Sequence, residues 1–144
     1  MEQKEPVLFY EREFYTFSNF SSFQVEYKGV LWPTSEHAYQ AAKFTDPSIV
    51  DEILKTRSAH EAFKLARSYA DKVRPDWNDV RVSVMEEVVR AKLSQHPYVQ
   101  QKLKETGDRE IIEDSPVDPF WGWGPNKDGE NQLGKIWMRL RAEL

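Results

Sequence analysis

The chain has 144 residues, with twenty basic and twenty-four acidic side chains and a net charge of −4. That length supports one domain, residues 1–144, with a core of its own, and the acidic balance argues against broad charge-driven binding to DNA or RNA, although one nucleotide could still be read in a pocket. With no cysteine there is no disulfide, thiolate metal site or thiol nucleophile, and His37, His60 and His96 show no metal-ligand spacing.

In chain order, residues 7–10 are a short apolar run that predicts a strand. Residues 14–23 are rich in aromatics, Ser and Asn without a clean period, and predict an ordered loop. Residues 23–27 alternate apolar and polar, Lys28-Gly29 turns, and Val30-Leu31-Trp32 returns, which is a hairpin pattern. Pro33 and a Thr34 or Ser35 cap then open a helix over 34–44. Asp46-Pro47 starts a helix to about residue 55. Ser58 with Glu61 is a capping box for one to about 69. Arg74-Pro75-Asp76-Trp77 breaks the chain before the longest helix, about 77–95, which His96-Pro97 ends. A short helix over about 97–105, a strand at 110–113, an aperiodic Pro-, Gly- and Trp-rich stretch at 114–129 and a terminal helix from 130 follow. The expected class is α+β, five or six helices around a small sheet. No stretch nears the roughly twenty apolar residues of a membrane span. The start, Met-Glu-Gln-Lys-Glu, lacks the order of a signal peptide, so a cytoplasmic protein with no membrane contact is expected.

Three segments carry candidate chemistry. In the 34–44 helix, Glu36, Gln40 and Lys43 fall within about 40° of one line, and Glu36 and Lys43 lie roughly 10 Å apart along the axis. That is too far for an ordinary intrahelical ion pair and suited to gripping two ends of one ligand; a solvated polar stripe is the plain alternative. In Asp118-Pro119-Phe120-Trp121-Gly122-Trp123-Gly124, glycines admit close backbone approach, tryptophans can stack on a base or sugar, and Asp118 can accept from sugar hydroxyls or serve as a base. Tryptophans plugging the core are the competing reading there. Gly129-Glu130-Asn131-Gln132 then leads into the last helix, whose first N–H groups favour phosphate. Finally, Phe17-Ser18-Asn19-Phe20 presents polar groups between two rings, as a binding loop or as a self-bonded turn. Arg67, Arg74, Trp77 and Arg81 offer cations and a ring near helix ends, and His37 reads as a packing or capping histidine.

These segments occur together, in order, with Ala91-Lys92-Leu93 and Thr106-Gly107-Asp108. The ordered set resembles the YbiA-like, or NADAR, family over about residues 8–142, and Ala66 stands where that family often has glycine. The resemblance implies a YbiA-like fold and an N-glycosidase. Its substrates would be phosphorylated ribosylamino-pyrimidines of riboflavin synthesis, or ADP-ribosyl-guanine in nucleotides or nucleic acid; a non-catalytic ADP-ribose-binding module is the alternative.

Breaking a C1–N glycosidic bond builds positive charge at C1 and negative charge on the leaving nitrogen. Glu36 is the expected acid or base. Lys43 is either a phosphate contact or an amine that forms a Schiff base with the ring-opened sugar, which requires a lowered pKa. Asp118 completes the expected catalytic set. Ser18, Asn19, Phe20, Gln40, Arg67, Trp77, Trp121, Gly122 and Asn131 are the expected substrate contacts. No metal or redox cofactor is called for.

Overall fold

In the computed structural model, residues 5–10 and 14–144 are described; the first four residues, read above for a signal sequence, lie outside them. They fall into two compact units, one built from both chain ends (residues up to Ser18 with His96–Leu144) and one from Asn19–Gln95.

The Asn19–Gln95 unit begins with a hairpin of β2 (Val25–Tyr27) and β3 (Val30–Trp32); β1 (Val7–Phe9) precedes them in the chain. They pair antiparallel with Val25 opposite Trp32. Lys28 and Gly29 both have positive φ, 52° and 80°, as a two-residue turn matching strand twist requires. Four helices follow: α1 (Ser35–Ala41), α2 (Pro47–Leu54), α3 (Ala59–Ser68) and α4 (Trp77–Gln95). The predicted caps form. Thr34 Oγ1 accepts from His37 N, Asp46 Oδ1 from Ser48 N with Pro47 at the first helical turn, and Ser58 Oγ from Glu61 N. α1 packs against α2, α3, α4 and both strands of the hairpin, and every one of its residues is buried. Gln95, at the end of α4, pairs with Glu26 of β2 through both amide arms at 2.8 Å, its oxygen accepting from N and its nitrogen donating to O.

The helix expected over 34–44 ends earlier. After Ala41 the backbone tightens, with Lys43 N donating to Gln40 O and Phe44 N to Ala41 O, a three-residue step common at helix ends. The cause lies in the next residues: Asp46-Pro47 starts α2 at once and leaves no length for another α-turn.

The other unit pairs β1 with β4 (Ile111–Glu113) in parallel, Val7 opposite Ile111. The strand component among the described residues is thus two separate two-stranded ladders. α5 (Pro97–Glu105) and β4 pack on α6 (Gln132–Arg141). Trp137 of α6 is fully buried, its ring 5.0 Å from Phe17 and its Nε1 donating to Phe17 O. The terminal helix starts two residues later than expected because Asn131 takes a left-handed conformation, φ 51°. No described helix is long and apolar enough to cross a membrane.

Candidate active site

Glu36, Gln40 and Lys43 come from α1 and the tightened turn behind it, and Asn19 sets how α1 begins. Asn19, 5% exposed, accepts the Glu36 backbone N–H on its carbonyl at 3.1 Å. Its carbonyl and its Oδ1 both accept from Ser35 Oγ. Its Nδ2 points to the sulfur of Met85 on α4 at 3.1 Å. These contacts satisfy one orphan donor of the helix start and fix Glu36 in depth: the residue is 6% exposed. One turn on, Gln40 Nε2 donates to Glu36 Oε1 at 2.6 Å. Gln40 is 2% exposed, and its Oε1 is buried without a hydrogen-bond partner among the described residues.

Lys43 is half-buried. Its Nζ lies 5.5 Å from the Tyr39 ring centre and 6.0 Å from that of Trp77, rings that are themselves 5.2 Å apart. The turn that carries it is tied to the Arg74-Pro75-Asp76-Trp77 break, since Arg74 N donates to Lys43 O at 2.8 Å. Among the described residues the amine makes no hydrogen bond or ion pair. Burial lowers its pKa, the nearby Glu36 charge raises it, and Arg81 lowers it again; the net direction is down. A cation held over aromatic faces with no acceptor close by has lost hydration that two rings replace only in part. Tyr39 is the residue that sequence reasoning missed, although its i, i+4 spacing to Lys43 was there to be read.

His37 is fully buried and structural. Its Nε2 meets Thr56 O at 3.3 Å and its Nδ1 meets Thr34 Oγ1 at 2.8 Å. A carbonyl accepts only, so the proton sits on Nε2 and Nδ1 accepts. Burial pushes its pKa down and favours this neutral form.

The remaining expected residues divide. Trp77 is buried beside Tyr39 and Lys43. Arg67 is exposed in the last turn of α3, and its guanidinium makes no hydrogen bond or ion pair among the described residues. Ser18 is buried and Phe20 half-buried. In the unit formed by the chain ends, Asp118 is half-buried, and its Oδ1 accepts from the N–H groups of Phe120 and Trp121 at 2.9 Å each. That oxygen holds the loop. Trp121 is half-buried with its ring 4.8 Å from Phe120. Gly122 meets the Glu113 carbonyl so closely that a Cβ would lie 2.6 Å from it; its smallness serves loop packing on β4. Asn131 is buried at the start of α6. Its Oδ1 accepts from Glu113 N and its Nδ2 donates to Ile111 O, both at 2.9 Å, so the amide bridges two backbone groups of β4. Among the described residues no group of His, Cys, Asp and Glu is arranged to hold a metal.

The architecture is α+β, and the comparisons with known proteins agree in kind. The NADAR domain family model matches residues 8–144, and the chain belongs to that family. A riboflavin biosynthesis protein of Vibrio vulnificus is 42% identical over 98% of this chain, which spans 39% of that protein's length. An N-glycosidase of Nostoc punctiforme is 40% identical over 89% of this chain and 84% of its own. The NMR structure of the Escherichia coli protein YbiA matches with a TM-score of 0.89 at 33% identity, covering 99% of this chain and 86% of that one. The fold is YbiA-like.

Proposed function

We infer that this protein is an N-glycosidase that hydrolyses the C1–N bond of ribosylated heterocyclic amines, with Glu36 and Lys43 as its catalytic groups. The observation that carries the reading is the state of Lys43: an amine shifted toward neutrality, clasped by Tyr39 and Trp77 with no acceptor, within the field of a buried carboxylate. A lysine that only neutralised phosphate would gain nothing from being made a weaker cation. The names of relatives support the reaction class, one an N-glycosidase and one a riboflavin biosynthesis protein. The preferred substrate is therefore a phosphorylated ribosylamino-pyrimidine; ADP-ribosyl-guanine, free or in nucleic acid, shares the same ribosyl-amine bond. On this reading the enzyme works in the cytoplasm and needs no cofactor.

The chemistry balances through one carboxyl and one amine. Glu36 protonates the ring oxygen as the C1–O bond opens, and the nitrogen lone pair forms C1=N. The neutral Lys43 amine adds to C1 and passes a proton to Glu36. Glu36 returns it to the heterocycle nitrogen, whose bond to C1 breaks, leaving a Schiff base on Lys43. Water adds to C1, losing a proton to Glu36, and Lys43 leaves with a proton as the free aldehyde sugar forms. The sum is one water consumed and one amine released. Trp77 and Tyr39 keep Lys43 dry, and Asn19 holds Glu36 at its depth.

The test is to incubate the protein with a ribosylamino-pyrimidine phosphate and with ADP-ribosylated guanosine and to follow free heterocycle by chromatography. Release from the first, faster than from the second, is expected. Thermal stabilisation by either compound without product would instead favour a binding module.

A further inference from the structure

The Gln40 amide is the least satisfied polar group in the buried part of the site. Its Nε2 donates to Glu36 at 2.6 Å while its Oε1, sealed from water, has no partner among the described residues. The two ends of a glutamine amide are nearly the same size and exchange places on a half-turn about the last torsion, which is soft. We propose that Gln40 is a positioning residue whose amide follows the proton on Glu36, Nε2 donating to the carboxylate and Oε1, after a half-turn, accepting from the carboxylic acid. The proposal rests on the reading of Glu36 as the acid and base of the reaction.

The choice of an amide then has a physical reason. Turnover makes Glu36 gain and lose a proton repeatedly. A cation four residues on would hold it as carboxylate, and a second carboxyl would hold it as acid. A neutral partner with a donor on one arm and an acceptor on the other serves both states, leaving one arm unpaired in each. The orphaned oxygen is the arm waiting for the other state. Lys43 feels both the Glu36 charge and, from α4, that of Arg81. From α3, Glu61 acts on His37, whose ring is turned to Thr34 and Thr56. Asp51 of α2 and Glu26 of the hairpin are exposed.

Two measurements decide it. In the wild-type protein, the Gln40 side-chain amide resonances and the Glu36 carboxyl carbon are followed by NMR against pH. A common inflection is expected; a Gln40 amide that stays constant while Glu36 titrates overturns the proposal. No variant is needed, and no activity, so this result stands apart from the glycosidase reading. A protein that cleaves neither substrate but shows the common inflection would sink that reading alone. In the pH profile of turnover, Gln40→Met removes the donor and should move the limb set by Glu36 upward by about a unit, while Gln40→Lys should move it downward. A lower rate at every pH with both limbs in place would show a merely structural glutamine.

Discussion

Lys43 and Lys92 show how the same side chain serves opposite ends in one fold. Lys43 stands at a half-buried position over two rings and keeps its amine unpaired among the described residues. Its lowered pKa means that the neutral fraction, and with it any amine attack on C1, rises at lower pH than for a free lysine. Lys43→Arg keeps charge but cannot form the Schiff base; heterocycle release should fall by at least a hundredfold, and borohydride should trap a sugar adduct on the wild-type protein alone. Substantial turnover by the arginine variant would exclude the covalent route and leave lysine an electrostatic role. Lys92 is fully buried on α4, donating to Ser21 Oγ at 2.9 Å with the Phe23 ring 5.3 Å away. Burial pulls its pKa from 10.5 down to about 7. Between those values the unfolded chain holds a proton that the folded one lacks, so stability rises with pH across that window; below it both states are charged and the gain is absent. The melting temperature of wild type relative to Lys92→Met should therefore climb from pH 7 to pH 10, and a constant difference would contradict the buried, neutral amine.

At the scale of elements, capping and short-range polar bonds place the site. Glu36 is where it is because Asn19 and Thr34 complete the start of α1, and Lys43 because Asp46-Pro47 cuts that helix short. Those caps were legible in the sequence, as were the hairpin turn and the long helix. The early end of α1 was less so, since periodicity continues through Phe44 and only the demand of the next helix stops it. Asn131 was read as a substrate contact because its run leads into the N-terminus of the last helix. Nothing local reveals that its amide bridges Ile111 and Glu113, partners twenty and eighteen residues away. Asn131→Ala should cost about 2–4 kcal/mol, as one buried and one part-buried backbone group lose their partners, in denaturant unfolding monitored by tryptophan fluorescence. A loss below about 0.5 kcal/mol would mean that the bridge is replaceable.

For the molecule as a whole, the ordered motifs named the family and the class of bond, while the protonation chemistry needed coordinates. Spacing placed Glu36, Gln40 and Lys43 on one stripe. It could not tell a solvated stripe from a dry one, because burial of α1 depends on the helices and hairpin packed around it. The tryptophan-glycine stretch was legible as a special loop, but its glycine at 122 answers to the Glu113 backbone. What joins family, fold and chemistry is the role given to one buried carboxyl. Glu36→Gln conserves shape and leaves the fold able to form, so heterocycle release from a ribosylamino-pyrimidine phosphate, measured beside the variant's melting curve, puts that role to the test. The expected result is a melting temperature within a few degrees of wild type and release reduced to background. A variant that melts normally and still releases most of the heterocycle would contradict the mechanism.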